Sequence, residues 1–261
     1  MTSITNGVRI LVVIPVISEM PVGLLRDLSL QTIRPELVVI AAASNSVCRR
    51  IRDIGSDIGK MKVECIVTRP DMKEHVGIRV GKAINQSLRH INLVSFDYFL
   101  KIDADVNIPN NYLQKCLALN ADLVGLGPFM LIRMKTFLKL FDGKWPETPA
   151  DDAHISIKLY CFGYKIERWP QGIRLKREGG ISGRWTYYYL RGKDDFKLGI
   201  EPFHELRNVF HLAKSRRTLL PVFTLIGYLI ALITGVELYE FSYIFFHQTF
   251  KSFLRRLKIR Y

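Results

Sequence analysis

Apolar residues in the first hundred positions alternate between two patterns. Short runs rich in Val and Ile predict strands over residues 9–14, 36–43, 62–68 and 96–102. Between them, residues 22–32, 46–58 and 77–90 carry apolar side chains at helical spacing and predict helices. This alternation is typical of an α/β fold, and the near-continuous apolar strands predict a mainly parallel sheet covered on both faces. Right-handed crossovers would then place the ends of the first, second and fourth strands along one edge.

The fourth predicted strand ends in an acidic turn, Asp103-Ala104-Asp105. Ligands of open α/β sheets bind beyond the carboxyl ends of the strands, so both carboxylates are expected at the binding edge. Mg²⁺ and Mn²⁺ are commonly held by one or two carboxylates together with substrate phosphates. The turn therefore predicts a metal site, and a surface turn without a ligand is the alternative.

The charge of the chain limits the choice of partners. The 261 residues carry a formal net charge of +14, which favours nucleotide phosphates, nucleic acid or an acidic membrane surface. The basic residues collect beside apolar segments and do not form an independent module, so a nucleic-acid partner is not predicted. No Gly-x-Gly-x-x-Gly follows the first strand and no Gly-Lys-Ser/Thr occurs, which argues against dinucleotide-dependent oxidoreductases and P-loop enzymes.

Cysteine spacing and the first residues bear on the cellular compartment. Cys48, Cys65, Cys116 and Cys161 are widely spaced, which argues against a zinc site or a redox motif and is compatible with a reducing interior. Residues 1–7 lack the basic start and apolar core of a signal peptide, so the front of the chain is expected in the cytoplasm.

Four segments in order resemble the family 2 glycosyltransferases of the GT-A fold. They are VVIPVISE at 12–19, LSLQTIRPE at 28–36, GKAIN at 81–85, and the stretch from Asp151-Asp152 to GYKI at 163–166. The resemblance covers about residues 8 to 170. It implies a GT-A-type nucleotide-binding domain over residues 1–205, followed by a C-terminal segment over 206–261.

The resemblance also implies roles for individual residues. Asp103 and Asp105 would hold Mn²⁺ or Mg²⁺ against the donor diphosphate. Asp152 would act as the general base of an inverting transfer, with Asp151 as the alternative base or as a helix cap. The other residues expected at the donor are Pro15, Val16, Glu19, Ser44, Arg79, Lys82 and Ala104.

Two departures from the family pattern leave the nucleotide open between UDP and GDP. The family usually has Asp-Asp-Gly-Ser after the second strand, whereas this chain has Ala41-Ala42-Ala43-Ser44. Ser18 stands where the family usually has Asn. Base recognition would therefore depend on other groups, such as backbone amides near Val16 and Ser44.

Two further features have more than one interpretation. Trp145 precedes the proposed base, where its ring would either stack on the acceptor or pin the loop. A basic stretch over 165–193 contains a Gly-rich run at 179–183, and it is either a loop that closes over donor phosphates or a solvated, membrane-facing surface. Its basic residues include Arg174, Lys176, Arg177 and Arg184.

The C-terminal segment predicts membrane-associated helices. Residues 218–236 contain no charge over 19 positions, close to the about 20 residues that cross a bilayer. Aromatic and apolar residues then recur at helical spacing opposite basic ones, which suits a helix lying in the membrane interface. They are Tyr239, Tyr243, Phe246, Phe250, Phe253 and Leu257. Whether 218–236 spans or lies in the membrane stays open, and burial against the catalytic domain or a second copy is the alternative.

These observations together predict a metal-dependent, inverting glycosyltransferase at the cytoplasmic face of the cell membrane. It would move a sugar from a UDP- or GDP-linked donor to a hydroxyl of a lipid-linked or glycan acceptor. One alternative is a polyprenyl-phosphate glycosyl synthase, in which a phosphate is the acceptor. A second is a non-catalytic scaffold that binds nucleotide-sugars, prompted by Ala41-Ala42.

Overall fold

The computed structural model describes residues 7–17, 19–53, 61–175, 185–216 and 218–256. The chain forms two compact units, residues 1–147 with 151–179, and residues 148–150 with 180–261. The second unit thus begins before the boundary at 205/206 that the sequence analysis places. The physical reason is that helix 185–197 packs closely on helix 222–233 inside the second unit.

A seven-stranded sheet forms the centre of the first unit, in the order β3-β2-β1-β4-β7-β6-β8. Strands β1 to β4 run parallel, β7 is antiparallel to β4 and to β6, and β8 is parallel to β6. A separate two-stranded sheet pairs β5 with β9. The strands are β1 (Ile10–Val16), β2 (Leu37–Ala42), β3 (Lys62–Val67), β4 (Tyr98–Ile102), β5 (Val106–Asn107), β6 (Leu123–Val124), β7 (Phe129–Arg133), β8 (Ile166–Glu167) and β9 (Arg174–Leu175).

Helices cover both faces of this sheet, as the apolar strands predict. One buried cluster joins the sheet to α1, α2 and α4, and the other joins it to α3, α5 and α6. In β1, Val12 and Ile14 belong to the first cluster, and Leu11 and Val13 to the second. The helices are α1 (Val22–Ser29), α2 (Asn45–Asp53), α3 (Val76–Leu88), α4 (Tyr112–Ala118), α5 (Met134–Phe141) and α6 (Asp151–Cys161).

The predicted end of the first strand at Ile14 is wrong by two residues. Strand β1 continues to Val16, and Pro15 lies opposite Ala41 of β2. Beyond Val13, β2 is the only strand that pairs with β1 in the described part of the chain. A missing N–H is tolerated there as it is on an edge strand.

A disulfide joins Cys48 of α2 to Cys65 of β3, with Cα atoms 5.5 Å apart. Cys116 and Cys161 are free thiols. Disulfides are typical of oxidising compartments and of the intracellular proteins of hyperthermophiles. The bond therefore does not support the reducing interior inferred from cysteine spacing, because spacing alone does not reveal which helix packs on which strand.

The second unit consists of helices held together by close approaches and buried polar contacts. The helices are α7 (Trp185–Lys197), α8 (Pro202–Arg216), α9 (Val222–Ile233) and α10 (Ser242–Arg256). A Cβ on Gly192 of α7 would lie 1.8 Å from the carbonyl oxygen of Thr224, and one on Gly227 of α9 would lie 2.0 Å from that of Tyr189. Both glycines therefore allow α7 and α9 to approach more closely than larger residues would.

The predicted C-terminal helices form, but they are shorter than the apolar run suggests. The uncharged stretch 218–236 contains α9, which has 12 residues and follows a turn at Pro221. Among the described helices, none combines the length and the apolar character needed to cross a bilayer. Tyr239 does not join the expected aromatic stripe, because its hydroxyl donates to Asp194 Oδ1 at 2.7 Å inside this unit.

Candidate active site

The carboxyl ends of β1, β2 and β4 lie side by side at one edge of the sheet. Strand β1 pairs in parallel with β2 as far as Val16 and Ala42, and with β4 as far as Val13 and Lys101. The acidic turn follows β4 directly and therefore lies at this edge. The predicted alignment of the three strand ends is confirmed.

The backbone of the acidic turn is held by the loop between β6 and β7. The N–H of Asp103 donates to the carbonyl of Pro128 at 2.9 Å, and the N–H of Val106 donates to the carbonyl of Asp103 at 3.2 Å. Asp105 is partly exposed within the turn, and Ala104 packs against the first buried cluster. The turn thus presents two carboxylates from a fixed backbone.

Lys101 is a residue of this site that the sequence analysis missed. It lies in β4 with 7% of its side chain exposed, and its Nζ is 2.6 Å from Oδ1 of Asp103. The same ammonium donates to the carbonyl oxygen of Gly127 at 2.9 Å. Burial acts to lower the pKa of Lys101, but the carboxylates of Asp103, Asp151 and Asp152 outweigh it and raise that pKa. The lysine is therefore positively charged and electrostatically links the acidic turn to the start of α6.

Helix α6 begins with the two candidate bases. Asp151 and Asp152 occupy its first turn, where the helix dipole favours acidic side chains. Oδ1 of Asp152 accepts a hydrogen bond from the N–H of Ala153 at 2.8 Å. A Cβ on Gly127 would lie 3.5 Å from Oδ2 of Asp152, so this carboxylate lies beside the loop that binds Lys101.

Trp145 pins the segment before α6, and the interpretation that its ring stacks on an acceptor is wrong. The ring is 1% exposed and packs against Phe99 and Phe137 of the core. Its Nε1 donates to Oδ2 of Asp151 at 2.7 Å. Asn85 of α3, part of the GKAIN segment, accepts from the N–H of Trp145 and donates to its carbonyl. The aromatic core and α3 therefore position Asp151.

The carboxyl group of Asp151 is enclosed, although the residue as a whole keeps some exposed surface. Burial raises its pKa to about 7, with a further rise from the neighbouring Asp152 and opposing effects from Lys101 and the Trp145 N–H. A carboxyl group that titrates near neutrality at a sheet edge is typical of active sites.

The pKa of Asp151 predicts a pH-dependent effect on stability. Because the pKa is higher in the folded state than in the unfolded chain, stability contributed by this group is lost as pH rises from about 4 to 7. Asp151→Asn keeps an acceptor for Trp145 and should therefore stabilise the protein at pH 8, by on the order of 1–3 kcal/mol, and much less at pH 4. Thermal unfolding of both proteins across this range measures the difference. An equal effect at both pH values would contradict the assignment.

The loop between β6 and β7 depends on two glycines that the sequence analysis did not single out. Gly125 and Gly127 have φ angles of +91° and +66°, in the left-handed region that other residues rarely adopt. A Cβ on Gly125 would also lie 2.3 Å from the carbonyl oxygen of Phe129. The Gly-x-Gly-Pro sequence at 125–128 was the available signal.

Asp103 and Asp105 suit a metal site that phosphate oxygens of a substrate complete, and they do not suit a site built from protein ligands alone. In the described part of the chain, no group of three or more His, Cys, Asp or Glu side chains could hold an ion. Mg²⁺ and Mn²⁺ are nevertheless bound by one or two carboxylates when phosphate oxygens complete the shell. Asp103, with 39% of its side chain exposed, and the partly exposed Asp105 are suited to that mode.

Several of the other residues predicted to contact the sugar donor lie at or near the same edge of the sheet. Pro15 and Val16 end β1 at the active edge, and Ser44, whose hydroxyl is 2.8 Å from that of Ser46, follows β2 there. Glu19 is partly exposed after β1. The carbonyl of Ala42 is taken by both the N–H and the hydroxyl of Thr68.

Arg79 and Lys82, the two basic residues of α3, both contact residues of the segment that precedes this helix. Nη1 of Arg79 lies 3.0 Å from Sδ of Met72. Lys82 forms an ion pair with Glu74, and this hydrogen bond raises the pKa of Lys82. The acidic groups around Lys82 are Glu74, Glu147 and Asp71, so Lys82 does not belong to the cluster around Lys101. Their contact with a diphosphate stays a prediction.

Part of the predicted basic loop lies outside the described residues, as does Ser18. Of the basic loop, Lys176, Arg177, the Gly run at 179–183 and Arg184 fall there. Arg174 is described, and it lies exposed in β9 opposite Asn107 of β5, next to the acidic turn.

Comparisons with known proteins give a likeness in structure only. No family model and no curated protein matches the chain. A mannosyltransferase from Pyrobaculum calidifontis, in complex with GDP-Man and Mn²⁺, matches with a TM-score of 0.53 and 15% identity over 96% of this chain and 81% of that one. Glucosyl-3-phosphoglycerate synthase from Mycobacterium tuberculosis, in complex with Mn²⁺, UDP and phosphoglyceric acid, matches with a TM-score of 0.49 and 15% identity over 67% of this chain and 73% of that one. The first match confirms the predicted GT-A fold.

Proposed function

We propose that this protein is a metal-dependent glycosyltransferase that moves a sugar from a nucleotide-sugar to a hydroxyl acceptor with inversion. The observation that supports it best is the arrangement around Lys101. This one buried ammonium interacts with Asp103 of the acidic turn and with Asp151 and Asp152 of α6. The acidic turn and a candidate base thus meet at the edge of the sheet where α/β folds bind ligands.

Asp103 and Asp105 are the residues that would hold Mn²⁺ or Mg²⁺. When bound, the cation supplies charge compensation for the nucleoside diphosphate that departs from the sugar. The backbone hydrogen bond from Asp103 to Pro128 fixes the turn. The structural likeness to a mannosyltransferase in complex with GDP-Man and Mn²⁺ agrees with such a donor and such a metal.

Asp152 is the proposed general base. An inverting transfer needs a carboxylate that removes the proton of the attacking hydroxyl. Asp151 is held by the Trp145 N–H and is enclosed, which suits a residue that fixes the start of α6. Asp152 lies in the first turn of α6, and its Oδ2 lies beside Gly127 of the loop that binds Lys101.

The direct test is a screen of nucleotide-sugars with the purified protein. Mn²⁺-dependent release of UDP or GDP from one donor, stimulated by a membrane lipid extract or a glycan acceptor, is expected. Calorimetry with UDP, GDP and their sugars in the presence of Mn²⁺ runs beside it. Binding without turnover would favour the scaffold alternative, and no binding of any nucleotide would reject the proposal.

Access to a lipid-linked acceptor is the second part of the proposal. Helices α8 and α9 line an apolar groove of about 530 Å³, with Phe210 and Leu219 72% and 79% exposed and Lys214 on its lining. Residues 180–261 hold thirteen Lys or Arg against six Asp or Glu. We infer that this groove rests on an anionic membrane surface, since exposed apolar area with basic neighbours suits the lipid interface.

Vesicle flotation tests the membrane contact. The protein should float with vesicles that contain phosphatidylglycerol and much less with phosphatidylcholine alone. Phe210→Ser with Leu219→Ser should lower the partition by about tenfold or more, because burying each side chain contributes about 1.5–3 kcal/mol. Val94→Ser is the matched control, since Val94 is 71% exposed but lies in the first unit. If the double variant floats as the wild type does, membrane docking by this groove is contradicted. The same holds if the substitutions dissociate a dimer and leave flotation unchanged.

A further inference from the structure

We propose that Lys101 is a positioning residue that makes the binding of a divalent cation dependent on the nucleotide diphosphate. Its ammonium holds Asp103 and supplies part of the positive charge that a metal would otherwise supply. The inference rests on the proposed function only for the placement of the metal at Asp103 and Asp105. It concerns the order and interdependence of binding, which the proposed function leaves open.

Lys101 lies among apolar neighbours in the sheet, so its position there does not explain why it carries a charge. Its partners in the neighbouring strands are Val13 of β1 and Met130 of β7, both of them buried. Phe99, two residues earlier on the same face, belongs to the aromatic core around Trp145. An apolar side chain would continue this core, so a charged one here has to be explained by what lies beyond the strand end.

The groups beyond the strand end are acidic. Lys101 Nζ is 2.6 Å from Oδ1 of Asp103 and 2.9 Å from the carbonyl oxygen of Gly127. Gly127 in turn lies beside Oδ2 of Asp152. One lysine thus contacts Asp103 and interacts electrostatically with Asp151 and Asp152, so its charge offsets part of the negative charge gathered at this strand end.

This arrangement has two opposite effects on a metal ion. The fixed ammonium orients Asp103 and removes part of the repulsion between the acids, which prepares the site. It also occupies one oxygen of Asp103 and repels an arriving cation at short range. A divalent ion alone therefore gains little, whereas an ion that arrives with a diphosphate brings its own negative charge and two or more further oxygen ligands. Metal and nucleotide should consequently bind as a pair.

The test measures Mn²⁺ binding without any turnover. Electron paramagnetic resonance reports free Mn²⁺ during a titration, with and without UDP and GDP. The wild-type protein should bind Mn²⁺ at least tenfold more tightly when the preferred nucleotide is present. Lys101→Met should bind Mn²⁺ alone about tenfold more tightly than the wild type and should lose most of the dependence on nucleotide. Lys101→Arg, which keeps the charge, should retain it.

Lys165 offers a matched control. Its Nζ lies 3.5 Å from Oε1 of Glu167, two residues later, and 2.8 Å from the carbonyl oxygen of Leu119. Lys165 thus repeats the contacts of Lys101 with a carboxylate and a carbonyl, but it is 54% exposed and lies beside β8 at the end of the sheet. Lys165→Met should leave both Mn²⁺ affinities unchanged.

Two results would overturn the inference. One is a Lys101→Met protein that has a lower melting temperature but wild-type Mn²⁺ affinity, which would show a purely structural lysine. The other is a wild-type protein that binds Mn²⁺ equally well with and without nucleotide, and this result stands even if the variant does not fold. Failure of every nucleotide to bind the wild type in the presence of Mn²⁺ would instead reject the proposed function.

Discussion

Asp105→Asn is expected to reduce metal-dependent sugar transfer by about a thousandfold or more. The substitution keeps the size of the side chain but removes one of the two carboxylates that would bind the cation. Because Asp105 lies partly exposed in a turn that is held by backbone hydrogen bonds of Asp103 and Val106, the fold should be preserved. Initial rates over a Mn²⁺ titration measure the loss, and circular dichroism checks the fold.

The Mn²⁺ titration also separates two ways in which activity could fall. If Asp105 binds the metal, the apparent Mn²⁺ affinity should weaken together with the maximal rate. Glu36→Gln is the control, since Glu36 is exposed before β2 at the opposite edge of the sheet, and its rates should match those of the wild type. Unchanged turnover in Asp105→Asn would reject the metal role of the acidic turn.

Asp152→Asn should abolish transfer to a hydroxyl acceptor, again by about a thousandfold, because the base that removes the hydroxyl proton is lost. Transfer to a phosphate acceptor would be spared, since an ionised phosphate needs no base. The variant therefore distinguishes the hydroxyl-acceptor enzyme from a polyprenyl-phosphate glycosyl synthase. Rates with a glycan acceptor and with a polyprenyl phosphate, measured on the same preparation, give the comparison.

Structural damage is the main competing explanation for a loss in Asp152→Asn. Asn can still accept the hydrogen bond from the N–H of Ala153, so α6 should begin normally. Asp151→Asn is the matched control, because it alters the neighbouring carboxyl in the same helix turn. If Asp151→Asn lowers the rate of hydroxyl transfer more than Asp152→Asn does, Asp151 is the base and Asp152 the structural residue.

The parallel sheet and its active edge could be predicted because they depend on local patterns. The apolar runs mark β1, β2 and β4, although β1 continues through Pro15 to Val16, and the parallel crossovers then fix which strand ends meet. The start of α6 could be predicted for the same reason, since acids in a first helical turn follow the dipole. The strand-end position of Asp103 and Asp105 was therefore predictable from local pattern, whereas the roles proposed for Asp151 and Asp152 came from the family resemblance.

Lys101 could not be predicted, since its importance comes from contacts with residues distant in sequence. Within the strand it interrupts an apolar run, and only the fold brings Gly127 and α6 beside it. The pairing of Cys48 with Cys65 depends likewise on how α2 packs on β3. For Trp145, the sequence allowed both an exposed and a buried ring, and the packing against Phe99 and Phe137 decides for the buried one.

The indole of Trp145 joins two properties that are usually selected separately. Its ring fills the core, and its N–H donates to Asp151, which acts to lower the pKa of that carboxyl against the larger upward effect of burial. A substitution that repacks this core for heat tolerance should therefore also change how the stability of the protein depends on pH. Directed evolution for either trait should return variants of Trp145, Asn85 and Phe137 in which both traits have moved together.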